Sequence, residues 1–305
     1  MSVSTYCMIG TVVASIALAK APAPTRNPFP QPLAATQGVI AIQFVEFASV
    51  PDLPGQAQPA RMMLLVNEPG TRRLFVNEMR GPLYTVSYDG KTVTPYLDVN
   101  AADWGIGVQS QGAKRGFQSF AIHPQFNQRG SRGYGKFYTY TDTPNMTPTA
   151  DFTMGTGKEH THDTVLLEWT AKTSSAATYD GGHATFNPLA SARDADFGLL
   201  YLGVADGGSG GDPYKVGQNL KSAFGKILRI DPLGKNSANG QYGIPASNPF
   251  AKNGANALGE IYAYGVRNAQ RLFWDEKNGH MFMSEIGQNA IEEISPVSAT
   301  ANDGR

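Results

Sequence analysis

Short apolar and aromatic runs, each closed by a turn, recur along the chain after residue 38. Four of them are Arg73–Val76, Lys136–Tyr140, Leu199–Gly203 and Met281–Ser284. Each leads through Gly- or Asp-containing segments to a second run of the same kind, and no segment keeps a long helical period. The pattern predicts an all-β domain built from antiparallel strand pairs.

The spacing of these runs favours one β architecture. Their aromatic anchors Phe75, Phe137, Tyr201 and Phe282 are 62, 64 and 81 residues apart. Four-stranded units joined by long loops give such an irregular repeat, so the sequence predicts a β-propeller. A β-sandwich or an open barrel is the alternative, which explains the strands but not their recurrence.

The N-terminal segment has the composition of an export signal. Cys7–Ala19 is apolar and 13 residues long, which is short for a membrane span but fits the apolar part of a signal peptide. We expect residues 1–21 to be a signal peptide, 22–38 a Pro-rich lead-in and 39–305 the propeller domain. The protein is then periplasmic or secreted. The alternative is an apolar terminus that is not a signal.

The charge balance and the cysteine content restrict the partners and the kinds of site that the chain is expected to have. Lys+Arg and Asp+Glu are 25 each, and charged residues make up 16% of the chain. This balance gives no reason to expect nucleic acid or an anionic membrane as a partner. Cys7 is the one cysteine, so a mature chain without it has no disulfide, catalytic thiol or thiolate metal site. The sequence does not predict an oligomeric state.

Three stretches resemble a known family. Residues 115–124 are similar to its RGLLGLAFHP-like strand and turn. Residues 179–231 (YDGGHATFNP, DFGLLYLGVADGG and GKILRIDP) and residues 244–294 (IPASNPF, EIYAYGVRNAQ and IGQNAIEEI) follow in the family's order. Together these motifs resemble the glucose/sorbosone dehydrogenase family of soluble sugar dehydrogenases over residues 65–297.

The resemblance implies a fold and an activity. The family fold is a six-bladed β-propeller, and its members use pyrroloquinoline quinone (PQQ) and calcium to oxidise the anomeric carbon of aldoses. The substrate would be a small sugar and the second partner an electron acceptor. The segment after Ile294 lacks the blades that follow in the family, so we expect an incomplete propeller with about four to five blades.

Two motifs carry the expected cofactor and metal sites. Arg267, Asn268 and Gln270 match the family's RNPQ, with Ala269 in the Pro position. By resemblance they contact the quinone, and a planar guanidinium suits a flat, carboxylated ring. Gly287 and Gln288 match the turn that binds calcium, largely through main-chain carbonyls. The alternatives are that Arg267 caps strand ends or pairs with an acid, and that the turn only connects strands.

The catalytic base is where the chain departs from the family. Tyr179 occupies the position of the family's histidine, and the ordinary pKa of a tyrosine, near 10, makes it a poor base at neutral pH. Asp180 and His183 are the candidate substitutes, because one is ionised at pH 7 and the other has a suitable ordinary pKa. An ordinary strand histidine is the alternative for His183. Without a base, the chain would be a non-catalytic propeller that binds carbohydrate or protein, or a nonfunctional truncated product.

Three further features have weaker functional interpretations. The Gly-rich segment 206–212 is either a loop that closely approaches the cofactor, a second calcium site or a flexible turn. His160, His162 and Asp163 could contribute to a zinc site only with ligands from elsewhere, and a solvated strand start explains them as well. His123 before Pro124 indicates a structural turn after a buried strand.

Overall fold

The computed structural model describes residues 43–101, 107–110, 115–143, 181–208, 210–288 and 291–297. The chain divides into two compact units, Met1–Val45 and Glu46–Arg305. The first lies almost wholly outside the described residues, as do the expected signal peptide and lead-in. The strands, the core and the candidate site all belong to the second unit.

The second unit contains thirteen strands within the described residues. They are β1 (Met62–Asn67), β2 (Arg73–Glu78), β3 (Pro82–Ser87), β4 (Val93–Asp98), β5 (Phe117–Ile122), β6 (Phe137–Thr141), β7 (His183–Phe186), β8 (Leu200–Val204), β9 (Lys226–Ile230), β10 (Ile261–Tyr264), β11 (Ala269–Trp274), β12 (Met281–Glu285) and β13 (Glu293–Val297). The helical structure described is a single 3-10 turn at Gly254–Asn256, and no described helix could span a bilayer.

The strands form four separate antiparallel sheets. Two have four strands, in the orders β1-β2-β3-β4 and β7-β8-β9-β10, one has three, β11-β12-β13, and β5 pairs with β6. Strands adjacent in sequence are adjacent in space, as in the blades of a propeller. This confirms the all-β prediction, and the strand pairs predicted at 73–86, 199–231 and 281–294 are present. The predicted partner of β6 at 165–169 lies outside the described residues.

Polar side chains join neighbouring sheets, from β2 to β5 and from β5 to β7. Asn77 donates from Nδ2 to Phe117 O at 2.6 Å, and Ser119 Oγ accepts from Ala184 N at 2.9 Å. Each is a buried polar group paired across a sheet boundary, where leaving it unpaired would be costly. The first strands therefore lie side by side, β1 against β5, β5 against β7 and β7 against β11.

The core lies between the sheets. We number the sheets in chain order. The largest cluster packs the third sheet, β7-β8-β9-β10, around Phe224, Leu228 and Ile261, which are all nearly inaccessible to solvent. A second cluster joins the third and fourth sheets. The third sheet (β7-β8-β9-β10) and the fourth (β11-β12-β13) come close together at Gly203, where a Cβ would lie 2.3 Å from Ala269 O. This contact fixes the start of β11, next to the RNAQ motif.

Candidate functional site

Arg267 and the turn after β12 form the centre of the candidate site. Nη1 of Arg267 donates to Ile286 O at 2.5 Å and to Gly287 O at 2.9 Å. Its main-chain N–H donates to Oε1 of Glu285 at 2.5 Å, and Ile286 N donates to Asn268 O at 3.1 Å. The RNAQ motif and the Gly287 turn, 20 residues apart in sequence, are thus directly hydrogen-bonded to each other.

The Gly-rich segment 206–212 closes one side of this site. Asp206 N donates to Arg267 O at 2.8 Å, and Gly211 N donates to Oε1 of Gln288 at 2.5 Å. A Cβ on Gly210 would lie 2.9 Å from Nε2 of Gln288. The segment therefore lies against the side chain of Gln288, and its approach to a cofactor stays a prediction.

Asp206 is a buried carboxylic acid that the sequence motifs did not single out. Its Oδ1 accepts from Gly208 N at 2.8 Å, and 4% of the residue is exposed. Burial raises the pKa of Asp206, while the Arg267 charge opposes the increase. A buried acid with a raised pKa beside an arginine is a candidate for proton transfer. The signal in the sequence is the Asp preceding paired glycines, a pattern that a simple turn would also give.

Asn268 is buried, and its Oδ1 has no hydrogen-bond partner within the described part of the chain. A buried amide oxygen left in this way costs roughly 1–3 kcal/mol, so it is suited to a donor or a cation that arrives with a ligand. Gln270, the last residue of the motif, is half-buried at a β-bulge between Ala269 and Arg271. The motif thus presents both donors and an unused acceptor.

Gly287 is required by the shape of its turn. A Cβ there would lie 1.5 Å from Ile291 O, and Gly287 N donates to Oε2 of Glu292 at 3.0 Å. The tight turn directs the carbonyl of Gly287 toward Arg267. The turn thus connects strands and also holds a carbonyl oxygen beside Arg267, and its calcium role stays a prediction.

His183 is bonded to β11 beyond the RNAQ motif, at Leu272. Its hydrogen bond in the described part of the chain goes from Leu272 N to its Nδ1, at 2.9 Å. Burial, with a smaller contribution from Arg271, lowers the pKa of His183 to about 3. A neutral ring that accepts at Nδ1 carries its proton on Nε2, so His183 could act as a base only after releasing Leu272. Its catalytic role stays a prediction.

Most of the other residues predicted to act as a base or to bind a metal lie outside the described part of the chain. Tyr179 and Asp180 lie outside the described residues, as do His160, His162 and Asp163. The chain enters the described part at Gly181, where a Cβ would lie 2.5 Å from Ala205 N, beside Asp206. His123 is buried and accepts from Gln125 N at Nδ1, which confirms the structural turn. No cluster of three acidic, histidine or cysteine ligands occurs among the described residues.

Comparison with known proteins identifies the family. The glucose/sorbosone dehydrogenase family model matches residues 57–304. The chain belongs to this family. Its sequence relatives include the HIPL1 protein of Arabidopsis thaliana, 26% identical over 77% of this chain and 39% of that protein.

Solved structures agree with this assignment at the level of the fold. One is a putative oxidoreductase (glucose dehydrogenase) from Thermus thermophilus, with a TM-score of 0.55, 22% identity, and coverage of 77% of this chain and 61% of that one. Another is the soluble aldose sugar dehydrogenase of Escherichia coli, with a TM-score of 0.54, 20% identity, and coverage of 78% and 61%. The glucose/sorbosone dehydrogenase domain thus has the predicted propeller-type fold and spans about three-fifths of the length of these relatives.

Proposed function

We propose that this chain binds PQQ and calcium and oxidises aldose sugars at C1. The observation that carries the proposal is the bonding of Arg267 to the Gly287 turn, which brings the expected cofactor and metal residues into one site. Family membership supports a sugar dehydrogenase. When bound, PQQ would accept the electrons released from C1 and calcium would polarise it.

The residues present fit these groups. Arg267 supplies a cation for a carboxylated quinone, and the buried Oδ1 of Asn268 is an acceptor without a partner among the described residues. Oxygen atoms suit calcium, and the Gly287 carbonyl already holds a cation, the guanidinium of Arg267. The glycines of segment 206–212 would leave room for a flat ring to approach the main chain.

Proton removal from the sugar hydroxyl needs a base near the same site. Asp206 is within the electrostatic influence of Arg267, and burial raises its pKa, which makes it a stronger proton acceptor than an exposed carboxylate. Tyr179 and Asp180 remain candidates from the sequence. We assign Asp206 as a further candidate base, or as the group that orients one of these two. Export to the periplasm or beyond remains part of the proposal.

Titration of the purified chain with PQQ, with and without calcium, tests the binding. We expect saturable, calcium-dependent quenching of tryptophan fluorescence, weakened about tenfold or more in Arg267→Met, since a hydrogen bond to a charged group is worth roughly 1.5–3 kcal/mol. Arg271→Met is the matched control, because that guanidinium bonds to Gln270 O and Met63 O instead. No binding by a folded chain would contradict the proposal.

A second candidate is a non-catalytic propeller that binds carbohydrate or protein. It is favoured by Tyr179 in the histidine position and by the engagement of His183 Nδ1 with Leu272. Turnover of aldoses with an artificial dye acceptor separates the two. Binding of PQQ with turnover that Asp206→Asn abolishes supports the dehydrogenase, whereas binding of sugar without turnover supports the second candidate.

A further inference from the structure

The Arg267 guanidinium donates hydrogen bonds to the carbonyl oxygens at the expected calcium site. Nη1 lies 2.5 Å from Ile286 O and 2.9 Å from Gly287 O, which are adjacent carbonyls of one turn. Charge-assisted hydrogen bonds of this kind are the stronger ones in proteins. A cation that is already part of the chain is therefore bound where an external cation would bind.

The surroundings hold the backbone of Arg267 in this position. Its main-chain N–H donates to Glu285 Oε1, and its carbonyl accepts from Asp206 N at 2.8 Å, so its backbone is fixed on both sides. The turn is equally fixed, because Gly287 N donates to Glu292 and Ile286 N donates to Asn268 O. The guanidinium can rotate away from the turn without breaking any of these main-chain bonds.

Calcium and the Arg267 guanidinium compete for Gly287 O, because each would place a positive charge at the same oxygen. A guanidinium within hydrogen-bond distance of a carbonyl places a positive charge within a few ångströms of any ion bound to that oxygen, and like charges at this separation repel strongly in a partly buried site. Calcium also needs the lone pairs of its oxygen ligands. Binding of the ion must therefore displace Nη1 from the turn.

We propose that Arg267 is an internal competitor for the calcium site, which keeps affinity for the free ion low until an anionic ligand draws the guanidinium away. This inference rests on the proposed function, in which that ligand is the carboxylated quinone. An anion that pairs with Arg267 releases Gly287 O, so calcium and the cofactor bind with positive cooperativity. Because the anion must pair with Arg267 for Gly287 O to be released, calcium alone would occupy the site poorly.

The test measures calcium alone, without quinone. Equilibrium dialysis with radioactive calcium is applied to the wild type, Arg267→Met and Arg271→Met, each checked for its melting temperature. Both substitutions remove one positive charge from a half-buried arginine of the same segment, but Arg271 donates to Gln270 O and Met63 O. We expect calcium to bind Arg267→Met about tenfold more tightly than the wild type, and Arg271→Met within about threefold of it.

Two results would overturn the inference. Unchanged or weaker calcium affinity in Arg267→Met would show that the guanidinium does not compete, and equal gains in both variants would assign the effect to net charge. If Arg267→Met does not fold, the arginine side-chain NMR signals of the wild type serve instead, and calcium must shift the Arg267 signal. Failure of the wild type to bind PQQ would contradict the proposed function alone, because this comparison contains no quinone.

Discussion

Nδ1 of His183 accepts a hydrogen bond from the main-chain N–H of Leu272 at 2.9 Å, and this bond ties β7 to β11. Leu272 lies in β11, a few residues beyond the RNAQ motif. Because the ring is almost fully buried, water cannot replace it as the acceptor. The bond therefore positions the strand whose beginning carries Arg267 and Asn268.

Replacing His183 by leucine should destabilise the fold. The Leu272 N–H would lose its acceptor, and an unsatisfied buried donor costs about 1–3 kcal/mol. His183→Asn is the matched variant, since its Oδ1 occupies nearly the position of Nδ1 and can still accept. Urea unfolding would measure both. Equal losses of unfolding free energy in the two variants would contradict a role for the hydrogen bond and leave only packing.

Stability should fall as the solution becomes mildly acidic. Burial lowers the pKa of His183 to about 3 and that of His123 to about 4. Above pH 6.5 both rings are neutral in the folded and unfolded chains. Below it the unfolded chain takes up protons first, so the free energy of unfolding decreases toward about pH 4, by up to about 1.4 kcal/mol per pH unit for each histidine.

Urea unfolding at intervals between pH 7 and pH 4 checks this slope. His183→Asn and His123→Asn should each flatten it, since each removes one group that takes up a proton on unfolding. His280→Asn, at an exposed position, is the control and should leave the slope unchanged. A wild-type slope of zero across this range, or one that both variants leave intact, would contradict the burial of neutral rings.

The sequence predicted strands well and the contacts between them poorly. The turn residues between β2 and β3 are local, so the pairing of Asn77 with Leu83 follows from the chain alone. The bond from Leu272 to His183 joins residues 89 apart, and nothing local in either strand indicates it. Family motifs identified Arg267 and Gly287, but not that one bonds directly to the other.

Lys226 shows the same limit at a single residue. In GKILRI it could have been a surface lysine at a strand start, yet it is fully buried. Nζ donates to Val216 O, Gly217 O and Phe224 O at 2.7, 2.9 and 2.8 Å. Burial lowers the pKa of Lys226 to about 7. In its charged form Nζ has one hydrogen for each of the three carbonyls, and it holds the loop between segment 206–212 and β9. Only the fold of that loop reveals the role.

Lys226→Met should loosen this loop and weaken the candidate site. Three buried carbonyls would lose the Nζ donor, although Val216 O and Gly217 O keep the main-chain donors Asn219 N and Gly265 N. We therefore expect a loss of about 1–3 kcal/mol in unfolding free energy. Limited proteolysis should cut the loop faster, and calcium-dependent PQQ binding should weaken because segment 206–212 precedes it. Lys221→Met, at an exposed position of the same loop, is the control. Equal stability of the two variants would refute the role of Lys226.

Gly203→Ala should separate the third and fourth sheets at the beginning of β11. A Cβ there would lie 2.3 Å from Ala269 O, and because that atom is main chain and not the end of a flexible side chain, we expect a loss of about 3 kcal/mol or more. The displaced strand begins beside Asn268, so affinity for PQQ should fall as well. Gly240→Ala is the control: its φ is +68° but nothing lies within 4 Å of the added Cβ, so it should cost only about 1–2 kcal/mol through strain of the left-handed conformation. Thermal and urea unfolding compare the two variants, and a Gly203→Ala chain as stable as Gly240→Ala would mean that this close approach does not position the site.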